Sequence, residues 1–232
     1  MRLMSVNVEC FLHGERSLIS KLNPFNRKRR KIIRQYLNIE ELKRIKNEVK
    51  PDLMALNQID FVGVGGVLQI EAINNNLIEN RIHLNPYVSY NDGGEYSTAL
   101  FGGYISKTIN LTPDTYCIET KLGDVSVISI NLSKRNRTRK RQLDSLREMI
   151  NINIHKKYII IGQYNLKREN ELRSLIHSCR LFNLPLPPTY PKNKPKKKVF
   201  RVLHNSDIKV FDPRIINSDL SNHLPIVFDI AF

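Results

Sequence analysis

The feature that most constrains this chain is an alternation kept up from end to end. Short apolar runs, too brief for helices, are separated by turn signals or by stretches of helical spacing. Runs of roughly four to eight apolar residues bounded by turn residues read as strands. They predict strands at 3–8, 53–56, 87–90, 98–105, 116–120, 125–132, 158–161, 199–203, 208–211 and 226–230. Between 29 and 49, apolar residues fall at Ile32, Ile33, Tyr36, Leu37, Leu42, Ile45 and Val49, a helical stripe that Pro51 ends, because the residue before a proline is pushed out of the helical region. A second helix is predicted after Gly63, Gly65 and Gly66, with Val67, Ile70, Ile73 and Leu77 on one side. A third covers about 139–152 with Leu143, Leu146, Met149 and Ile150, and a short one about 170–178. The Gly-containing segment 91–94 reads as a turn, and 122–124 as a hairpin connection. The proline-rich segment 184–191 reads as an irregular surface loop. No repeat or linker divides the chain, so 1–232 is expected to be one α/β domain with two sheets packed face to face and helices outside.

Charge speaks about partners. Lys and Arg number 37 against 22 Asp and Glu, a net +15, and the excess is clustered. One run is Arg27, Lys28, Arg29, Arg30 and Lys31. A second is Lys134, Arg135, Arg137, Arg139, Lys140 and Arg141. The third is Lys192, Lys194, Lys196, Lys197 and Lys198, ending at Arg201. A single run fits a solvated face, whereas three together favour a polyanion, bound through counterion release and therefore sensitive to salt. Arg29, Arg30, Arg135, Arg137, Arg139, Lys140, Lys196, Lys197 and Lys198 are the expected nucleic-acid contacts. No window approaches the ~18–20 apolar residues of a spanning helix, and no stretch joins a basic face to large exposed apolars as a membrane-surface helix would. The start has no apolar signal-peptide core. Cys10, Cys117 and Cys179 are too scattered for a disulfide framework or metal knuckle, which points to reduced thiols in an intracellular, reducing compartment.

Polar clusters close several of the predicted strands: Asn7 and Glu9 after the first, Asn57 and Gln58 after the second, Gln163 and Asn165 after the one at 158–161, and Asn222 and His223 ahead of the last. Here the chain resembles the endonuclease/exonuclease/phosphatase superfamily, which includes DNase I-like nucleases, deadenylases and inositol phosphatases. The family's landmarks are an Asn on the first strand, Pro-Asp-x-x-x-Leu-Gln-Glu, a strand ending in His-Leu, Gly-Asp-x-Asn, an Ile-Asp-Tyr-like segment and Ser-Asp-His-x-Pro. This chain has, in the same order, Asn7; Pro51 and Asp52 followed by Leu56, Asn57 and Gln58; Asn131 and Leu132; Gly162, Gln163 and Asn165; Asp207; and Ser221, Asn222, His223 and Pro225. The resemblance spans the whole chain and implies a four-layer α/β/β/α sandwich of two packed mixed sheets flanked by helices. It also implies a magnesium-dependent phosphodiester hydrolase. On that pattern His223, Asp207 and Asn165 keep catalytic positions, Asp207 pairing with His223, while Asn7, Glu9 and Gln58 occupy the metal site.

The departures change the expected chemistry. Gln58 stands for the metal-binding Glu, Asn131 for a His, Gln163 for the Asp that prepares the attacking water, and Asn222 for the Asp of Ser-Asp-His. Magnesium is a hard ion that takes carboxylate oxygens, and a neutral amide cannot accept a proton near neutral pH. Loss of several parts of a cooperating set removes orders of magnitude in rate. A carboxylate well turned into amides also stops repelling phosphate and gains N–H donors. The leading expectation is a catalytically degenerate, basic protein that binds DNA, RNA or another phosphate ester, with no cofactor required and magnesium needed only if activity survives. The alternatives are an active phosphodiesterase with an altered metal site using Glu9, Asp207 and His223, and a scaffold with protein partners in a nucleic-acid-containing assembly.

Overall fold

The computed structural model describes residues 1–9, 24–60, 73, 82–84, 89–91, 94–102, 106–112 and 115–232; in some of these, 24–32 among them, only the backbone is described. The strands are β1 (Arg2–Asn7), β2 (Leu53–Asp60), β3 (Ile82–Leu84), β4 (Ser89–Asn91), β5 (Gly94–Phe101), β6 (Ser106–Thr112), β7 (Thr115–Leu122), β8 (Val125–Asn131), β9 (Lys157–Gln163), β10 (Leu181–Asn183), β11 (Phe200–Asn205), β12 (Lys209–Ile215) and β13 (Ile226–Ala231). The helices are α1 (Pro24–Val49), α2 (Asn136–Ile152) and α3 (Arg173–Ser178).

One sheet runs β12-β13-β1-β2-β5-β3, with β4 also on β5; the other runs β10-β11-β9-β8-β7-β6. Among the described pairings only β1–β2 and β8–β9 are parallel. Parallel neighbours require a crossover, and α1 and α2 lie within those two connections. Side chains along each central strand therefore divide between two cores. Leu3, Leu53, Ala55, Ile159, Ile161 and Phe228 fill the space between the sheets. Met4, Val6, Met54 and Leu56 face α1 through Ile39, Leu42 and Ile45. Ile128, Ile130, Tyr158 and Ile160 face α2 and α3 through Leu146, Ile150 and Leu175. Burial on both sides explains why these strands read as unbroken apolar runs, and it makes the molecule the four-layer sandwich of two mixed sheets that was expected.

Several local expectations are corrected. Helix α1 begins at Pro24, a residue suited to the first helical turn, and its buried face carries Gln35, Asn38, Ile39, Leu42, Ile45 and Val49 while Ile33, Tyr36 and Leu37 are exposed. Strands β3, β6 and β10 were not foreseen. The expected strand at 98–105 ends as β5 at Phe101, and the expected helix around 67–77 lies, apart from the helical Ile73, outside the described residues. Segment 184–191 is irregular, yet Leu184 and Leu186 are buried in the inter-sheet core. Cys117 and Cys179 are buried thiols, and burial beside Glu119 pushes Cys117 up to about 12; Cys10 is outside the described residues. Among the described residues no helix is long and apolar enough to cross a membrane.

Candidate phosphate-binding cleft

Both parallel pairs end at the same rim. In register, Asn7 lies beside Asn57 and Asn131 beside Gln163, so the crossovers bring four polar strand ends together. Local backbone devices then aim them. Gly162, just before Gln163, has φ +139°, and a Cβ there would sit 2.0 Å from the Ile130 carbonyl oxygen, so only glycine fits. A bulge in the β2–β5 ladder between Asn57 and Ile59 leaves Gln58 at φ +60° and turns its side chain into the cleft.

A chain of amides ties the two sheets. Asn7 Nδ2 donates to Gln163 Oε1 at 2.5 Å, Gln163 Nε2 to Asn165 Oδ1 at 2.9 Å, and Asn165 Nδ2 to the Leu132 carbonyl at 2.6 Å. Asn7 Oδ1 in turn accepts the Glu9 amide at 2.9 Å. The Ser221 hydroxyl donates to the Asn7 carbonyl at 2.5 Å and accepts the His223 amide at 2.9 Å, which brings the loop before β13 onto the same rim. Glu9 Oε2 accepts the Asn222 amide at 2.8 Å, and Glu9 Oε1 lies 3.7 Å from His223 Nε2. The buried His223 ring stacks on Tyr190 at 4.5 Å and meets the edge of Phe200 at 6.3 Å.

These groups border a cleft of about 870 Å³. Gln58, Gln163, Asn165, Glu9 and His223 line it. Its cations come from four places: Lys134 after β8, Lys167 and Arg168 after β9, Lys196, Lys197 and Lys198 before β11, and Arg201 on β11. Against these seven, the only carboxylates among the described residues of the lining are Glu9 and Glu169. Asn7 and Asn131 are buried behind the lining, and Asn222 uses its backbone and side-chain oxygens to accept the Lys192 amide, at 2.9 and 3.3 Å.

Asn7, Glu9 and Gln58 do not fit a magnesium ion. Gln58 and Asn7 are neutral, the Asn7 amide is engaged at both ends, and Glu9 receives Asn222 on one oxygen while facing His223 with the other. Among the described residues no three of His, Cys, Asp and Glu gather in metal-holding geometry. A hard dication would meet one carboxylate already engaged.

Two expected site residues belong elsewhere. Asp207 is exposed in the turn between β11 and β12, where it accepts the Ser206 hydroxyl at 3.0 Å and adds to the field at Lys157. From Phe200, beside His223, to Asn205 the strand runs five steps, about 17 Å, so Asp207 and His223 are at opposite ends and do not pair. Arg139 is fully buried rather than available to nucleic acid. Its guanidinium donates to Glu171 at 2.8 Å, to the Ser133 and Lys134 carbonyls at 3.2 and 3.0 Å, and to Asn136 Oδ1 at 2.9 Å. Burial pushes the Glu171 carboxyl up, but Arg139 and the amides of Arg168 and Lys167 outweigh it and hold it below the ordinary value. Arg135, Arg137 and Lys140 are exposed around the start of α2 and do not line the cleft. Arg29 and Arg30 are in the α1 backbone, with side chains outside the described residues. Lys167, Arg168 and Glu169 were not anticipated: the two cations form an isolated pair, and their only signal is a position just past the Gly-x-x-Asn strand end.

No protein-family model matches the chain, and no curated protein does. Solved structures do match. All of the chain aligns with 99% of D. rerio TDP2 complexed with single strand DNA product, at TM-score 0.68 and 12% identity. It also aligns in full with all of an endonuclease/exonuclease/phosphatase family protein from Leptotrichia buccalis, at TM-score 0.67 and 16% identity. The mannosyl-6-phosphatase Bt3783 of Bacteroides thetaiotaomicron matches over both whole chains at TM-score 0.68 and 11% identity.

Proposed function

We propose, on the premise that this chain has the endonuclease/exonuclease/phosphatase (DNase I-like) fold, that its cleft binds a nucleic-acid backbone or similar phosphate ester without metal-dependent hydrolysis. The observation that carries this is the charge of the lining: among the described residues, seven cations against two carboxylates, with amides at Gln58 and Gln163. Lysine and arginine, rather than the amides, supply the attraction, because Asn7, Gln163 and Asn165 each spend an N–H within the hydrogen-bonded chain at the strand ends. Phosphate contacts of this kind position a strand without reading its sequence. The bound single-strand DNA of the TDP2 structure supports nucleic acid as the ligand class. The position of Asp207 weakens the active-enzyme alternative, since it removes one of the three groups that alternative relies on.

Fluorescence anisotropy of a labelled single-stranded oligonucleotide in EDTA tests the proposal. Binding should weaken with salt along a log–log slope no steeper than about −5, which is 0.7 for each of the seven cations. No binding in EDTA at low salt, or binding independent of salt, would refute it.

A further inference from the structure

Among the described residues Arg201 is the one cation of the lining built into the wall instead of standing in solvent. Its residue is 4% exposed and lies across from Gly162 in the β11–β9 pair. A guanidinium removed from water needs partners for its charge and its five donors. Nη2 donates to the Glu169 carboxylate, Nη1 makes a long 3.4 Å contact to the Phe200 carbonyl, and Nε has no hydrogen-bond partner among the described residues. Burial holds the Arg201 pKa below its ordinary value, with Glu169 opposing. A planar fork with unused donors, at the wall of a cationic cleft, is the geometry that accepts two phosphate oxygens.

Glu169 differs from the other acid of its loop. Glu171 holds the loop in place through the buried Arg139 and the amides of Lys167 and Arg168, with 20% of its side chain exposed. Glu169 opens the single 3-10 turn Glu169–Leu172 and keeps 71% of its side chain in water. It can swing away while Glu171 keeps the loop where it is.

We infer that Arg201 is a phosphate-binding site of the cleft and that Glu169 is its internal stand-in, a carboxylate that an incoming phosphate group displaces. The inference rests on the cleft's reading as a phosphate-binding surface. The resting pair keeps the buried guanidinium neutralised, and the ligand must compete with Glu169, so the acid lowers affinity for every ligand that reaches Arg201.

The test is a double-mutant cycle read by anisotropy of a single-stranded oligonucleotide in EDTA. Glu169→Gln should bind about two- to fivefold more tightly than the parent, the equivalent of one partly exposed ion pair. Glu48→Gln removes the same charge from α1 and should leave affinity within error. In an Arg201→Met background, or Arg201→Lys if the methionine variant does not fold, Glu169→Gln should lose most of its effect. Parent binding with no tightening in Glu169→Gln would overturn this inference alone, as would equal tightening with and without Arg201. If neither the parent nor Glu169→Gln binds, the cleft reading falls and takes the inference with it.

Discussion

Replacing Arg139 with methionine removes a guanidinium that serves four acceptors in a dry site and leaves all four behind. The Ser133 and Lys134 carbonyls, Asn136 Oδ1 and Glu171 Oε2 lose the guanidinium together, while Glu171 Oε1 keeps the Lys167 and Arg168 amides. Breaking a buried pair from one side costs about 3–5 kcal/mol. Because Glu171 keeps a fifth of its side chain in water, the lower end applies, about 3 kcal/mol, with solvent screening the stranded carboxylate. For a chain of this length that is a fall in Tm of about 6–12 °C. Urea unfolding followed by circular dichroism, beside a thermal melt, measures it, and Arg137→Met in the same basic run should change stability by less than about 0.5 kcal/mol. If Arg139→Met melted like the parent but lost oligonucleotide affinity, Arg139 would not be a buried anchor and would belong to the ligand-binding surface.

Other expectations follow from the same geometry. Arg2 holds the Asp229 carboxyl below its ordinary value of 3.8, mainly by hydrogen bonds of 2.9 and 3.1 Å and then by charge. This contribution is present in full above the unfolded value and fades as pH falls through the lower folded value, so parent and Asp229→Asn should differ in stability at pH 7 and converge in acid. A difference that persists below both values would argue against it. Gly162→Ala should cost roughly 2–4 kcal/mol or prevent soluble expression, since its Cβ would meet the Ile130 carbonyl; an unchanged denaturation midpoint would show that the strand end can move aside. Changing Lys196, Lys197 and Lys198 together to alanine should reduce the magnitude of the oligonucleotide salt slope by about 2, and a parental slope would place the ligand elsewhere.

The architecture was legible because its central strands are buried on both faces, which compresses them into short apolar runs such as 158–161, and because Pro51 and the turns at 91–94 and 122–124 mark boundaries. Edge pieces such as β10 were not legible: three residues with Phe182 exposed carry no pattern. The α1 stripe was misjudged because Gln35 and Asn38, polar by type, are buried while Tyr36 and Leu37 point outward. In the cleft, the substituted positions were found by motif order, and the structure brings Glu9, Gln58, Gln163, Asn165 and His223 to one lining. Asp207 misled because a Ser-Asp pair also suits a tight turn. The partners that decide the roles of Arg139 and Arg201 lie 32 residues away in each case, on a loop whose acids look alike in one dimension.

A magnesium titration, starting from EDTA, of the complex with a single-stranded oligonucleotide at constant ionic strength, with the oligonucleotide's length analysed at each point, separates metal-free binding from metal-dependent cleavage. A cleft with one engaged carboxylate at its amide end should hold the strand equally well throughout and leave it uncut. Tightening that saturates with magnesium, together with shortened product, would mean that the cleft holds a catalytic metal ion.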